Sequence, residues 1–404
     1  MKAFILAAGK GTRMRPLTEG TPKPLLPLAG KPILQHLIDS IGSKVDEIII
    51  LVGWEGENIR ENVDSPEAKL RFIRQDELLG TANAIGYAED FVEDRFICMN
   101  GDIIIDEKTL HGFIDDFSES ESCMVGMAEV DDPENYGIMK TEGEKVTEIV
   151  EKPEEPESNR VNSGLYGFTS EIFEAIDETK KSPRGEYEIT DSLKMLMDDS
   201  MLIGYEIKEW HELSRPWDLL SVNKRLMGKK IEKKIDGEVE NNVHLEGNVH
   251  ICKNAEVKEG AYIKGPVYIG EDAEIGPNCY IRPSTHIAEG CKVGGASEVK
   301  NSIVMEGTQI PHHNYVGDSV IGRNCNFGSG TKVANLRLDD KNIVVVHRDE
   351  KIDTGRRKLG VVMGDDVKTG VNSMMNPGTI IWSGCFIGPG ALAQSEIGPN
   401  SKIQ

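Results

Sequence analysis

From Leu245 to Met305 an aliphatic side chain stands at every sixth position: Leu245, Ile251, Val257, Ile263, Ile269, Ile275, Ile281, Ile287, Val293, Val299 and Met305. A period of six fits neither the helical repeat of 3.6 nor the two-residue alternation of a pleated strand. It fits a coil of three short strands, about six residues each, with one side chain per face pointing into a triangular interior. Two places before each ladder position stands a mostly small or β-branched residue: Val243, Val249, Ala255, Ala261, Val267, Ala273, Cys279, Thr285, Cys291 and Ser297. The corners of a narrow prism have room for little else. The spacing predicts a left-handed parallel β-helix. The period breaks after Met305, returns as Ile321, Phe327 and Val333, breaks again across 334–360 and resumes from Met363 through Thr369, Met375, Ile381 and Ile387 to Ala393. Both breaks are expected to be insertions, and insertions in solenoids tend to emerge where binding occurs.

The first half has a different rhythm. A short apolar strand, Lys2 to Leu6, enters the glycine-rich stretch LAAGKGTRMRPLT; after PKPLLPLAGKP come a helical pattern near Ile33 to Ile41 and the strand Glu47 to Val52. Strand, glycine loop, helix, strand is the opening of a nucleotide-binding α/β sheet with its ligand at the carboxyl ends of the strands. The expected organisation is a Rossmann-like α/β domain over 1–227, a charged linker helix over 228–240 (GKKIEKKIDGEVE) and the hexapeptide-repeat β-helix over 241–404.

Composition narrows the partners. The chain has 404 residues, a net charge of -22 and seven cysteines without a C-x-x-C pair. Such an acidic balance argues against nucleic acid, whose phosphates need a clustered basic face. Four of the cysteines (Cys279, Cys291, Cys325, Cys385) fall at small-residue positions of the hexad and read as buried reduced thiols. No apolar run approaches the roughly 18 residues of a membrane span. A cytoplasmic protein is expected.

Candidate chemistry lies in the loops. Gly9 and Gly11 allow the backbone to approach phosphate, and Arg13 and Lys23 supply cations for a triphosphate. The loop is neither a Walker A motif nor G-x-G-x-x-G. Asp102 follows the apolar strand Arg95 to Met99, where it could hold Mg²⁺ or cap a turn.

The string AAGKGTRMRPLTEGTPKPLLPLAGKPIL resembles the signature of sugar-phosphate nucleotidylyltransferases. Gln75 with LGTANA at 79–84, NGD at 100–102, YGIM at 136–139, EKP at 151–153 and NSGLY at 162–166 follow that family's order. The resemblance implies that Leu6, Ala8, Gly9, Gly11, Thr12, Gln75, Gly80 and Thr81 bind the nucleotide. Arg13 and Lys23 would act on the phosphates, and Gly137, Glu151, Lys152, Asn162 and Gly164 would receive the sugar. It further implies Mg²⁺ on Asp102, with Asn223, Glu212 or Asp218 as a second ligand.

In the second half, SEVKNS and PHHNYVGDSVIGRNCNFGSGTKVANLRLDDK resemble the acetyltransferase part of bifunctional N-acetylglucosamine-1-phosphate uridylyltransferase/glucosamine-1-phosphate acetyltransferases. The resemblance implies that His312 is the general base and Asn335 orients it or the amine. Arg282, Lys300, Tyr315, Asn326 and Lys341 would then hold the sugar phosphate, and Ser329 would meet the acetyl group of acetyl-CoA. NLRLDD in place of the usual NYDG, with a longer 334–360 loop ending GRRKLG, resembles the archaeal-type branch; Arg356, Arg357 and Lys358 there could meet phosphates of coenzyme A or the sugar, or be solvated.

The expected function is synthesis of UDP-N-acetylglucosamine by acetyl transfer and then uridylyl transfer from UTP, or from dTTP as the other candidate donor, in a homotrimer built through the β-helix. Two other readings are a monofunctional glucose-1-phosphate uridylyl- or thymidylyltransferase with an inert β-helix, and a non-catalytic nucleotide-sugar-binding regulatory subunit. Arg13, Lys23 and Asp102 weigh against the last, because decay normally removes them.

Overall fold

The computed structural model describes residues 1–199 and 202–404, the side chains of 198 and 199 excepted. The chain divides into two units. The first holds Met1–Lys10, Pro22–Leu25 and Pro32–Leu213, the second Gly11–Thr21, Leu26–Lys31 and Ser214–Gln404.

The first unit is built on a nine-stranded sheet. Its order is Lys69–Arg74, Glu47–Val52, Lys2–Ala7, Arg95–Asn100, Arg160–Thr169, Met124–Glu129, Ile203–Glu206, Lys145–Glu151 and Gly137–Glu142. The first four are parallel, and Arg160–Thr169 runs antiparallel to its neighbour Arg95–Asn100. Glu47–Val52 is buried along its whole length, as a strand covered on both faces must be. Alternation along Lys2–Ala7 sends Ala3, Ile5 and Ala7 into one core with the helices Ile33–Ile41 and Glu107–Glu119, and Phe4 into another with Thr81–Gly86, Glu171–Glu178 and Ile189–Asp199. The chain leaves Lys2–Ala7 toward one edge and returns beside it at Arg95–Asn100. The carboxyl ends of those two strands therefore flank a topological switch point.

The second unit contains the β-helix. Two parallel sheets, of nine and eight strands, form two of its faces, and the third face is made by sheets of five and three strands joined through single bridges at Asn326; each coil places a residue above its counterpart one coil earlier: Val249, then Val267 eighteen residues on, then Thr285. The ladder fills the interior from Val249 to Ile397. The first break corrects the sequence expectation. It is not an insertion, because Val304, Ile310, Val316 and Ile321 continue the interior and pair in register. Two faces, Val299 to Val304 and Val316 to Ile321, are each five residues long. Ser302, Thr308, Asn314 and Ser319 keep the corner role, fully or almost fully buried. The second break is an insertion, and it folds into an antiparallel hairpin of Val344–His347 and Glu350–Asp353.

The segment expected as a linker helix also differs. The helix Asp218–Lys230 stops at Lys230, and Lys234–Ile235 already pairs with His250–Ile251 as a first, exposed half-coil. Ile235 pairs beneath Ile251 although it stands sixteen rather than eighteen residues before it, so coil stacking outcompetes helix propensity. All seven cysteines are free and buried, and burial pushes the Cys279, Cys291 and Cys325 thiols up to about 12, leaving them protonated and unreactive. No helix among the described residues is long and apolar enough to cross a membrane.

Ile275, fully buried at mid-ladder, is a test of the stacking. Ile275→Ala should cost about 2–5 kcal/mol in urea denaturation, against less than about 0.5 kcal/mol for the exposed Glu256→Ala.

Candidate functional site

Two groups of residues are brought together, one in each unit. In the first, Gly101 follows Arg95–Asn100 so closely that its N–H bonds to the Leu6 carbonyl at 2.9 Å, and a Cβ there would lie 2.7 Å from that oxygen. This turn sets Asp102 at the switch point. Lys23, on the short 3-10 turn Lys23–Leu25, reaches it with Nζ 2.5 Å from Oδ2. The strand Trp210–Glu212 lies against Ile103–Ile105, and the Leu213 N–H donates to the Asp102 carbonyl at 2.9 Å, which brings the half-buried Glu212 into the neighbourhood of Asp102.

The residues expected to read the base lie along one further edge. Gln75 is buried, with Nε2 3.4 Å from the Asn83 Oδ1. Gly80 has φ +119° and passes so close to Tyr187 that a Cβ would fall 2.4 Å from its carbonyl oxygen, so this position requires glycine. Tyr187 then holds the loop at both ends, donating to Leu79 and accepting from Ala82.

The expected sugar residues also converge. Glu151 accepts from Arg184 at 3.0 Å and from Thr190 at 3.1 Å, while Lys152 stands 3.9 Å away in a left-handed conformation. Gly137 packs closely against the same group: a Cβ would meet Thr190 at 2.9 Å and Glu151 at 3.1 Å. Asn162 accepts from the Gly164 N–H at 3.0 Å and donates to the Tyr166 hydroxyl at 2.8 Å. A side chain at Gly164 would collide with Asn100. Arg184, Tyr187 and Thr190 carry no motif of their own, and the sequence reading missed them.

The remainder of the glycine-rich stretch belongs to the second unit. Gly11 adopts φ 59°, Thr12–Met14 form a 3-10 turn, and Arg13 is exposed on it. Glu19 accepts from the Ser383 hydroxyl at 2.7 Å. Asn223 is fully buried, its Oδ1 accepting from the Ala29 N–H at 2.9 Å and its Nδ2 donating to the Ser284 carbonyl at 3.1 Å and to the Met227 sulfur. It clamps the Leu26–Lys31 segment to a coil. Asp218 receives the N–H groups of Ser214 and Arg215 at 3.0 and 2.6 Å.

On the β-helix, one face collects Lys300, Tyr315 and Asn335. All three converge with Asp318, which the sequence reading did not single out. Lys300 Nζ stands 2.8 Å from Asp318 Oδ2, Asn301 donates to Oδ1 at 2.7 Å, and Asn335 donates to Oδ2 at 2.5 Å and to the Tyr315 hydroxyl at 3.3 Å. Asp318 is 4 % exposed; a carboxylate so buried needs a cation and donors such as these. Arg282 lies one coil earlier, paired to Glu298 at 2.7 Å, which raises its pKa.

His312 is exposed on the corner between Gln309–Ile310 and Tyr315–Gly317, its carbonyl accepting from Gly330 at 3.1 Å. Asn335 gives its amide to Asp318 and Tyr315. Asn326 and Lys341 are exposed and Ser329 half-buried. In the GRRKLG stretch Arg356 donates to the Ser221 hydroxyl, and burial holds its pKa below the usual arginine range. Arg357 pairs with Asp340 at 2.7 Å, and Lys358 is exposed.

Comparison with known proteins agrees with both halves. Residues 2–228 match the Nucleotidyl transferase family and residues 263–383 the GMPPB C-terminal domain. Over its full length the chain is 45 % identical to the Bifunctional protein GlmU of Methanocaldococcus jannaschii, covering 97 % of that protein. It is 39 % identical, over 98 % of both chains, to a Bifunctional sugar-1-phosphate nucleotidylyltransferase/acetyltransferase of Sulfurisphaera tokodaii. Among solved structures, a UDP-glucose pyrophosphorylase complexed with UDP-glucose superposes with a TM-score of 0.53 at 23 % identity, over 57 % of this chain and 99 % of that one. That likeness speaks to the fold of the first half.

Gly317 tests the β-helix face. A Cβ there would lie 2.7 Å from the Tyr315 hydroxyl and 2.8 Å from the Asn335 amide. Gly317→Ala should displace both and lower acetyl transfer about ten-fold or more, as misplaced groups do. Nucleotidyl transfer, assayed by pyrophosphate release on the same preparation, should stay within about two-fold.

Proposed function

The chain belongs to the nucleotidyl transferase family of bifunctional sugar-1-phosphate nucleotidylyltransferase/acetyltransferases, and from that premise we propose that it acetylates glucosamine-1-phosphate with acetyl-CoA and then couples N-acetylglucosamine-1-phosphate to UTP. The observation that carries this reading is the presence of two separate polar constellations, Lys23 with Asp102 in one unit and Lys300, Tyr315, Asp318 and Asn335 in the other. A monofunctional enzyme with an inert β-helix would have no use for a buried aspartate surrounded by a lysine and two amides on the coil face.

In the first reaction His312 removes the proton from the glucosamine nitrogen as it attacks the thioester carbonyl, and coenzyme A leaves as the thiol. Exposure at a corner three residues before Tyr315 supports that role. Lys300, Arg282 and Tyr315 bind the sugar phosphate, and Asp318 fixes Lys300 and Asn335. In the second reaction a sugar-phosphate oxygen attacks the α-phosphorus of UTP in line and the bond to pyrophosphate breaks. Lys23 and Arg13 neutralise the charge that develops, so the protein contributes chiefly position and electrostatics. The pocket of Glu151, Asn162 and Gly164 orients the sugar. A thymine-bearing triphosphate differs by one methyl group, which a small change around Gln75 and Gly80 accommodates.

The donor set fits magnesium. Asp102 offers a part-exposed carboxylate at the switch point, and Glu212 a second in the adjoining strand. Hard oxygen donors with the other positions left to water and phosphate are what Mg²⁺ takes. Asn223 fits poorly, since its amide is already satisfied at both ends inside the second unit. When bound, the metal draws charge from the phosphates.

Assembly as a homotrimer is part of the proposal. Val371, Met374, Phe386 and Leu392 expose apolar side chains on the last coils, with Met374 and Leu392 stacked in one row. A second copy is the economical cover for such a surface. A cytoplasmic location is supported by the free buried thiols.

Two substitutions separate the sites. His312→Ala should abolish thiol release from acetyl-CoA with glucosamine-1-phosphate while pyrophosphate release from UTP with N-acetylglucosamine-1-phosphate survives, and Asp102→Ala should do the reverse. Loss of both activities in either folded variant would overturn the two-site reading.

A further inference from the structure

Most large hydrophobic side chains of the first unit are buried or half-buried, and among its described residues two are exposed: Trp54, at 40 %, and Leu78, at 48 %. Both lie on loops that leave neighbouring parallel strands at their carboxyl ends, Glu47–Val52 and Lys69–Arg74. One exposed apolar side chain needs no explanation, but two on adjoining loops, at the end of a sheet where ligands bind, do.

The register of the sheet sets their surroundings. Ala7 pairs with Val52 and Val52 with Arg74, so Ala8, Gly53 and Gln75 emerge side by side from adjacent strands. The fit is tight: a Cβ on Gly53 would lie 2.6 Å from the Ala8 carbonyl oxygen, and the Gln75 N–H donates to the Val52 carbonyl at 2.8 Å. Trp54 is the next residue beyond Gly53. It stands between the Ala8–Gly9 backbone on one side and the Gln75–Gly80 loop, which carries Leu78, on the other, where neighbouring strands are about 5 Å apart. The chain then turns back at once. Glu55 takes φ 57°, and Gly56 opens the helix Gly56–Glu61 so close to Val52 that a Cβ would meet its Cγ2 at 2.7 Å. Ile59 is fully buried and anchors that helix, which leaves Trp54 at the exposed crown of the turn.

The charges on the two loops select the occupant. Glu55, Glu57, Asp76 and Glu77 are all exposed, and Arg74, paired to Asp76 at 3.1 Å, offsets them only in part. Phosphate oxygens are repelled here and are drawn instead toward Lys23, which reaches Asp102 across the strand Lys2–Ala7. An uncharged aromatic ring suits the Trp54 side of the cleft.

We propose that Trp54, with Leu78 beside it, is a stacking wall for the nucleobase, the indole covering the face of the base whose edge is assigned to Gln75, Gly80 and Thr81. The proposal rests on the nucleotidyl-transfer reading given above and adds to it a residue outside the motifs that carry that reading. Every base presents a π-face, so the wall contributes affinity and leaves the choice of base to the hydrogen bonds at its edge.

The test uses the full-length protein with Mg²⁺, and UTP and inorganic tripolyphosphate as the probes. Trp54 lies outside the core, so Trp54→Ala should leave the melting temperature unchanged. It should weaken UTP binding in calorimetry, and raise the KM for UTP, by about ten-fold, as loss of a base-stacking ring does. Tripolyphosphate, which has the phosphates without the base, should bind both proteins within about two-fold, and kcat and the KM for the sugar phosphate should change no more than that. Trp54→Phe should recover most of the loss while removing the fluorescence change that UTP causes at Trp54. UTP binding within two-fold of wild type in Trp54→Ala would overturn the wall. So would equal losses for UTP and tripolyphosphate, or a lowered melting temperature without rescue by Trp54→Phe, either of which would mark a merely structural turn. Absence of nucleotidyl transfer in the wild type would instead defeat the underlying reading, while UTP calorimetry would still decide the role of Trp54.

Discussion

A coil that closes every eighteen residues has room at each level for one inward side chain per face, and the second unit depends on that constraint. The interior is too narrow to accept two large residues or to tolerate a void, so the ladder residues and the small residues two places before them are set together. In-register parallel stacking follows, because each aliphatic side chain finds its best contacts on the one a coil above. Outward-facing residues inherit the same registration. Tyr280, Glu298, Tyr315 and Lys332 stand in one row, with Lys300 and Gly317 in the adjoining one, since the interior leaves them nowhere else to be.

The polar face around Asp318 is a product of this registration. Lys300 and Asn301 come from the level before Asp318 and Asn335 from the level after it, yet each lies within hydrogen-bonding reach of one carboxylate. A buried charge isolated there would be strongly unfavourable, and the cation with two amides makes it tolerable. The shortened face from Val316 to Ile321 contains Asp318 itself, and it is at this shortening that the chain departs from strict hexads. A regular six-residue face would advance the phase by one and turn a different side chain toward Lys300.

That shortening also explains what could and could not be read from sequence. Counting from a fixed phase, a single deletion looks the same as an insertion: the ladder stops and later returns. The observed continuity through Val304, Ile310 and Val316 required knowledge of pairing partners, which the periodicity does not contain. The strands Lys2–Ala7, Glu47–Val52 and Arg95–Asn100 and the helix Ile33–Ile41 were legible because apolar runs and turn residues agree there. Lys23 and Asp102, 79 positions apart, were each visible in a motif, and the structure joins them. Arg184, Tyr187 and Thr190 were not visible, since an ordinary arginine, tyrosine or threonine announces itself only when a fold brings it to Glu151 or Gly80. Asn223 was misleading for the opposite reason. It stood where a metal ligand was expected, but its amide is consumed in holding Ala29 to Ser284.

The glycine-rich stretch shows how a motif can be local in sequence without being local in structure. Lys10 belongs with the α/β sheet, while Gly11–Thr21 belongs with the coils. Within that second unit Glu19 is tied to Ser383 and the Thr12 carbonyl to Arg348. A loop held by its own flanks would need a rigid sequence of its own; this one borrows rigidity from coil residues more than 330 positions away in the chain. Its arginine-bearing turn is therefore only as well ordered as the hairpin and the last coils that support it. The insertion 334–360 serves two surfaces at once, presenting Asn335 to the polar face at its start and Arg348 to the loop at its tip. Any change in the hairpin's register would be felt at both ends, because four paired residues in each strand leave little slack between them.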